Sequence, residues 1–473
     1  MFCTSLLRNQ MKNTIKRSFV IAAVLVLVQS AAFAQVQERN VRAAMTFLAG
    51  DAMQGRGSGT QFERITAEYV GTQFMQFGLE AAGDNGFDGK PGYVQTANIS
   101  RTEFSGLATL RHGTTMLQQG GEMVVLRANT GSVGGPLQKI SAVGQTAGAG
   151  RAVLIRASMG NDNARALQQH AQKFAADGAT IVIVEETPQW RANWESYAGR
   201  RIGFTVSSQA KPTAIVVVSK AAAAALSQAL EGTRIDFSAP LAPVRTTQTW
   251  NATGKLTGSD PKLSAEVIVL SSHLDHLGVG ENAPGDDKLF NGADDDASGT
   301  VAVMELARVL AAGKRPKRTV YFVCFGSEEA GGYGSGHFVN TLPFPKESLV
   351  ANLQWEMIGR PDAKVKPEEL WLTGFERSNL GPELAKRGAK LVQDPHPEEN
   401  FFQRSDNYTL ARQGVIAHTV SSFGLHTDYH KASDELKTID FDHMTKSINS
   451  MIKPIEWLLN SDFRPAWVEG KRP

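Results

Sequence analysis

Three neighbouring segments decide the fold: AEVIVLSSHLDHLG from Ala265 to Gly278, NGADDDASGTVAVMELARVLAA from Asn291 to Ala312, and TVYFVCFGSEE from Thr319 to Glu329. The runs Ala265–Ser272 and Thr319–Phe325 are short, apolar and rich in β-branched and aromatic residues, as strands buried on both faces are. Between them, Ser298–Ala312 reads as an amphipathic helix that directs Val301, Met304, Leu306 and Val309 inward. Leu349–Trp355 reads as a further strand and Ser447–Leu459 as a closing helix. Strands alternating with helices predict an α/β fold, a mixed and largely parallel sheet flanked by helices, with functional groups at the carboxyl ends of the strands.

Outward from this centre the chain changes character twice. Val41 to Leu79 is helical, with Ala43, Ala44, Phe47 and Leu48 on one face and a second stretch from Phe62 to Phe77; the Gly-rich turn Gly55–Gly59 separates the two. From 106 to 240, short β-type runs such as Arg151–Ile155 and Thr180–Val184 alternate with Gly-rich turns, and one helix, Ala164–Asp177, connects two of them. This reads as an inserted β-rich domain. It holds His112 and His170 but no carboxylate cluster with ligand spacing, so its expected role is packing or gating of substrate. The division is then 1–34, 35–105 (helical), 106–240 (insert) and 241–473. A chain of 473 residues, 42% hydrophobic and 20% charged, has ample apolar content for two cores.

The first 34 residues read as a secretory signal. Lys12, Lys16 and Arg17 precede an apolar run from Phe19 to Val28, and Ala32-Phe33-Ala34 is a small-residue cleavage pattern. The run is short for a membrane span, and no Cys follows it to accept lipid, so no stable membrane anchor is expected. Met11 would give a tidier start than Met1. The destination is periplasmic or secreted. Removing Arg8, Lys12, Lys16 and Arg17 from a net charge of +2 leaves −2, and no basic run points to nucleic acid. Cys3 goes with the signal and Cys324 remains alone, so no internal disulfide is expected.

Four clusters carry the chemistry. His273 and Asp275 close the first strand; the Asp-rich loop Asn291–Gly299 leads into the helix; Glu328 and Glu329 follow the Thr319 strand; Glu356 ends the Leu349 strand, and His426, Asp428, His430 and Asp434 crowd a late loop. A strand-end His, an Asp run before a helix or a pair of Glu residues each has a structural explanation by itself, such as capping. All four occupy the same topological position in one sheet, and imidazole with carboxylate but no thiolate suits Zn²⁺ in a catalytic site.

The order of HLD, GADDDASG, EE, a strand ending in an acid, and a His followed by Asp434 resembles peptidase family M28, the zinc aminopeptidases and carboxypeptidases. The segment 106–240 resembles the protease-associated domain that many members carry as an insert. The resemblance implies a zinc exopeptidase fold, a peptide substrate and two Zn²⁺ per chain. His273 and Glu356 would bind one ion, Glu329 and His430 the other, and Asp294 would bridge them, with a cis peptide between Asp294 and Asp295. Asp275 would orient His273, Asp434 would serve His430, Glu328 would be the general base acting on a water shared by the metals, and Tyr429 would stabilise the tetrahedral intermediate. Glu356 stands where many members have Asp.

His276 reads as a pocket residue or as one that supports a metal ligand, and His426 as a loop residue near the site. For the substrate, Arg404 would suit a terminal carboxylate, whereas spare acids such as Asp296 and Asp406 would suit a terminal ammonium. Aminopeptidase is favoured. Carboxypeptidase, a one-zinc glutaminyl cyclase and an inactive binding scaffold stay open as alternatives.

Overall fold

The computed structural model describes residues 35–473 except 85, 87, 88, 142, 143, 200, 201, 207–210 and 281–284, so the signal read at 1–34 lies outside the described residues. Two compact units divide the chain, one ending at Ala97 and resuming over Gln248–Pro473, the other Asn98–Thr247. The second unit is wider than the segment 106–240. Its bounds fall inside the continuous strands Val94–Glu103 and Arg245–Leu256, which carry no turn signal.

In the first unit, helices α1 (Glu38–Leu48), α2 (Gln61–Gln76), α3 (Gly299–Ala312) and α4 (Phe441–Asn460) accompany a twisted sheet. Eight of its ten strands are β1 (Val94–Glu103), β2 (Arg245–Leu256), β3 (Val267–His273), β4 (Thr319–Phe325), β5 (Leu349–Trp355), β6 (Leu370–Leu372), β7 (Leu391–Gln393) and β8 (Ile416–Ser421), in the order β7-β6-β8-β5-β3-β4-β2-β1. The four central strands, β8, β5, β3 and β4, are parallel, whereas β2 runs antiparallel to β4 and β6 to β8. The sheet is therefore mixed and largely parallel at its centre. The parallel register puts His273 opposite Phe325, so the loops after β3 and β4 leave the sheet side by side.

Every residue of β3, β4 and β5 is buried, which is why these strands lack polar alternation. On one face Ile268, Leu270, Val320 and Phe322 pack with Met45, Met304, Leu306 and Met451; on the other Val267, Val269, Tyr321 and Val323 pack with Phe338 and Leu410. Burying each such side chain contributes on the order of 1.5–3 kcal/mol. Helix α4 begins at Phe441, six residues before Ser447, because the Asp440 side chain accepts the His443 N–H at 2.9 Å and caps a turn outside the dense apolar stripe.

The second unit has its own sheet, in which Ala152–Ile155, Ile181–Glu185 and Ala214–Val218 run parallel. The helix Ala164–Ala176 packs Leu167, Ala171 and Phe174 against Val153, Val182 and Val184 on one face, and a second cluster covers the other. The unit is rich in short strands, with helices packed against its sheet.

His418 lies in the middle of β8, fully buried, with Nε2 2.7 Å from Ser378 Oγ and Nδ1 2.7 Å from Thr373 O. Burial pushes its pKa down to about 4, with Arg377 acting in the same direction and the Thr373 carbonyl against it. A folded-state value below the unfolded one of about 6.5 means that this contribution is intact above pH 6.5 and is lost as pH falls toward 4. On the order of 3 kcal/mol of stability is expected to disappear over that window. Urea unfolding at pH 7 and pH 4 measures it: His418→Gln should lose less stability than the wild type, and equal losses would contradict the assignment.

Candidate metal centre

The loop after the short strand Leu289–Phe290 turns through Gly292, whose φ is +57° and where a Cβ would lie 2.2 Å from Asp295 O, so only glycine fits. The three aspartates that follow divide two against one. Asp296 faces the protein: Oδ1 accepts the N–H of Gly299 and of Met357 at 3.0 Å each, and Oδ2 that of His273 at 3.2 Å. Asp294 also faces the protein, where Oδ1 accepts Gly359 N–H at 2.7 Å and Oδ2 lies 2.9 Å from His426 Nε2. Asp295 alone faces outward between two imidazoles, with Oδ1 3.2 Å from His273 Nε2 and Oδ2 3.2 Å from His430 Nε2.

The expected bridge, Asp294, is thus displaced by one residue, and the cis peptide joins Asp295 to Asp296, not Asp294 to Asp295. Backbone hydrogen bonds occupy Asp294 and Asp296, and only the middle carboxylate is left for ligation.

Glu328 and Glu329 sit on a turn held from two sides. Glu63 on α2 accepts from Ser327 Oγ at 2.9 Å, and Ser327 has a φ of +52°. Asp275 accepts the N–H of Glu328 at 3.0 Å and of Glu329 at 3.3 Å, together with Ser58 Oγ at 2.5 Å. Its Oδ1 is 3.6 Å from His273 Nδ1, so Asp275 positions the glutamate turn more directly than it orients the imidazole. Glu329 Oε2 then lies 3.2 Å from His430 Nε2. Glu356 is reached through Gln354, whose amide is 3.3 Å from Glu356 Oε2 and hydrogen-bonded to Ser405 Oγ.

His430 has a φ of +56° and is carried on a loop clamped by Arg360. The guanidinium donates to Asp428 at 2.8 Å and to Asp434 at 3.2 Å, and Asp434 in turn accepts the N–H of Asp294 and Asp295 at 3.0–3.1 Å. Asp434 therefore ties the His430 loop to the aspartate loop; its carboxylate serves backbone and Arg360, not the His430 ring.

The donor set fits cations. A tetrahedral ion with bonds of about 2.0–2.1 Å has ligand-to-ligand edges near 3.3 Å, and His273 with Asp295, Asp295 with His430, and Glu329 with His430 are all 3.2 Å apart. Asp295 Oδ2, Glu329 Oε1 and both ring nitrogens of His276 are buried with no directed hydrogen bond. Charge argues the same way. Burial opposes protonation of His273, yet Asp296, Asp275, Asp295 and Glu328 outweigh it and raise its pKa well above the ordinary value; Asp295 and Glu329 raise His430 to about 10 against the same opposition. The carboxylates thus demand positive charge, which a metal supplies while leaving both imidazoles neutral as ligands.

The remaining residues fall into place around this set. His276 lies against a candidate ligand, with Nδ1 2.9 Å from Glu329 Oε1, and with Asp295 and Glu329 it keeps donor atoms within 4.8 Å of one another. The spacing His273-Leu-Asp-His276 at a strand end was the available signal. Tyr429 stacks on His430 at 3.9 Å. Glu328 is partly exposed, and desolvation raises its pKa well above the usual range, with His273 opposing and Asp406, Glu356 and Glu329 adding repulsion. Asp406 is buried, with neither oxygen hydrogen-bonded. Arg404 pairs with Glu399 at 3.1 Å and lies over the Phe401 ring.

Comparison with known proteins bears on the same region. Residues 251–453 match the model of Peptidase family M28. The leupeptin-inactivating enzyme 1 of Streptomyces exfoliatus is 32% identical over 227 residues, 45% of this chain and 49% of that protein. An aminopeptidase of Pseudomonas aeruginosa is 34% identical over 117 residues, 24% of this chain and 19% of that one. The first curated relatives are thus matched over only 19% to 22% of their length. Among solved structures, the aminopeptidase from Aneurinibacillus sp. strain AM-1 superposes with a TM-score of 0.52 at 20% identity, covering 90% of this chain and 95% of that one, a likeness of fold.

If Asp295 is the shared ligand, Asp295→Asn loses zinc affinity by at least about tenfold at both positions, whereas Asp294→Asn keeps both ions. Equilibrium dialysis with metal analysis decides; the opposite ranking would restore Asp294 as the bridge.

Proposed function

Because residues 251–453 match the model of Peptidase family M28, we propose that the protein is a zinc-dependent exopeptidase, an aminopeptidase that removes N-terminal residues from peptides, and that it is exported. The observation that carries this reading is the Glu328-Glu329 turn. One backbone turn, held by Asp275, presents Glu329 to His430 and leaves its neighbour outside the ligand set.

His273 and Glu356 would hold one zinc ion and Glu329 and His430 a second, with Asp295 between them. Zinc, when bound, lowers the pKa of a water and polarises a carbonyl. Glu328 takes the proton of the attacking water and hands it to the leaving amine. The Tyr429 phenol, stacked on His430, donates to the oxyanion as it forms. Asp275 keeps the base and the ligand in fixed relation, and Asp434 with Arg360 does the same for Asp295 and His430.

The choice of terminus is supported by charge. The site is rich in carboxylates, which suits an ammonium, while Arg404, the group a terminal carboxylate would need, is already paired with Glu399. Asp296, the other spare acid, is fully engaged by backbone N–H groups. Relatives named aminopeptidase point the same way. Export rests on Lys12, Lys16, Arg17, the apolar run to Val28 and Ala32-Phe33-Ala34. No helix among the described residues is long and apolar enough to cross a membrane.

Glu328→Gln should retain bound zinc and lose about 10²–10⁴-fold in kcat, and chelation of the wild type should abolish activity. Incubating metal-loaded protein with peptides blocked at either end should show trimming only where the amino terminus is free. Trimming from the carboxyl end, cyclisation of an N-terminal glutamine, or full activity in Glu328→Gln would each overturn part of the proposal.

A further inference from the structure

An arginine from the N-terminal segment reaches the loops of the candidate metal centre. Arg56 is fully buried, and its side chain donates four ways: Nε to Leu274 O at 3.0 Å, Nη1 to Leu48 O and to Asn291 O at 2.7 Å each, and Nη2 to Gly292 O at 2.9 Å. Leu274 follows the candidate ligand His273, and Asn291 and Gly292 open the loop that carries Asp295. One guanidinium thus spans the two loops whose ligands stand 3.2 Å apart, and fastens both to the end of α1.

The neighbouring chain completes the tie. The His276 N–H donates to Arg56 O at 3.2 Å, and Gly57 pairs with His276 as a parallel bridge. Arg56 holds a φ of +48°, backbone that persists where surrounding contacts over-determine it. Two residues on, Ser58 Oγ donates to Asp275 Oδ2, and Asp275 is the carboxylate that takes the N–H of Glu328 and of Glu329. Glu63, buried in the first turn of α2, accepts the Gly59 N–H at 2.8 Å and Ser327 Oγ at 2.9 Å, so the same segment also grips the glutamate turn. Arg56 to Glu63 all lie outside 251–453, the part of the chain that matches the family model.

The choice of residue type points the same way. A buried guanidinium is costly, and a neutral amide would bridge two carbonyls at lower cost. Burial pulls the Arg56 pKa below its ordinary value, and the nearby Asp275, Asp296, Asp434 and Asp295 pull it back. Four carbonyls arriving from three segments need a planar group with five N–H donors in a fixed fork, which only arginine has.

We propose that Arg56, together with Ser58, positions the metal centre: Arg56 sets the distance between His273 and Asp295, Ser58 steadies the glutamate turn through Asp275, and zinc affinity depends on both although neither is a ligand. The inference rests on the metal centre of the exopeptidase reading above.

The test measures zinc affinity of the full chain by competition with a chromophoric chelator, in wild type, Arg56→Lys and Arg56→Met. Removing a positive charge from beside a cation site would by itself tighten binding. Lost positioning acts in the opposite sense. Lysine keeps the charge and methionine does not, but neither has the fork, so both variants should bind zinc more weakly, by about tenfold or more. With cobalt(II) in place of zinc, the visible absorption bands report ligand geometry and should shift in both. Met451→Ala, a core substitution in α4, is the control: it should lower the melting temperature and leave zinc affinity and the cobalt bands as in wild type. Unchanged or tighter zinc binding in either Arg56 variant overturns the proposal, and so does an equal loss of affinity in Met451→Ala. Should neither Arg56 variant fold, Ser58→Ala decides: weaker zinc binding with shifted bands supports the proposal, and wild-type behaviour overturns it. A wild type that binds no zinc overturns the metal centre itself. A wild type that binds zinc but cleaves no free-amine substrate defeats the exopeptidase reading alone, and the affinities still decide the role of Arg56.

Discussion

Everything at the carboxyl edge of the sheet depends on the carboxylate of Asp296. It gathers backbone N–H groups from the end of β3, the start of α3 and the residue after Glu356. A buried carboxylate is costly to leave unpaired, so the three segments are held in a fixed relation, and His273 and Glu356 come with them. Burial pushes the Asp296 pKa well above the ordinary range, with His273 and the Met357 N–H opposing and Glu356 adding repulsion.

Around this anchor the site is built in layers of the same kind. Asp275 gathers the glutamate turn, Asp434 gathers the aspartate loop, and Arg360 joins Asp434 to Asp428 across the loop that carries His430. Several of these segments hold residues in the left-handed region, Ser327, Met357 and His430 among them. Such backbone persists where surrounding contacts over-determine it. The result is a set of imidazoles and carboxylates at coordination spacing, each held by contacts from outside the ligand set. Phe423 lies 5.2 Å from Tyr429 and 5.7 Å from Phe401, which stacks on Trp371.

Much of the architecture was legible because burial writes itself into composition. β4 is a continuous apolar run, β3 and β5 are largely so, and α3 has its stripe, so strand, helix and strand could be placed to within a few residues. The start of α4 was not legible, since a single capping contact by Asp440 set it. The bounds of the second unit were hidden for a related reason: strands that cross a boundary leave no punctuation. Within the site, His273, Glu329 and His430 could be picked as strand-end and loop residues of ligand type. Which ligand His276 meets was not legible, because the proximity of its ring to Glu329 depends on the path of the chain after β3.

The aspartate triplet marks the limit. Three identical residues in a row carry the same chemistry in sequence, and nothing in their spacing says which carboxylate remains free. The sequence alone determined the residue types, their order and their position at the ends of buried strands, because apolar patterning and local turn chemistry are properties of neighbours along the chain. Only the tertiary structure decided that Asp295 faces the histidines while Asp294 and Asp296 serve the backbone, and that Arg56 spans the loops beside them. Those outcomes are set by which partners arrive from distant segments, Met357, Gly359 and His426 for the aspartates and Leu274 and Gly292 for the arginine.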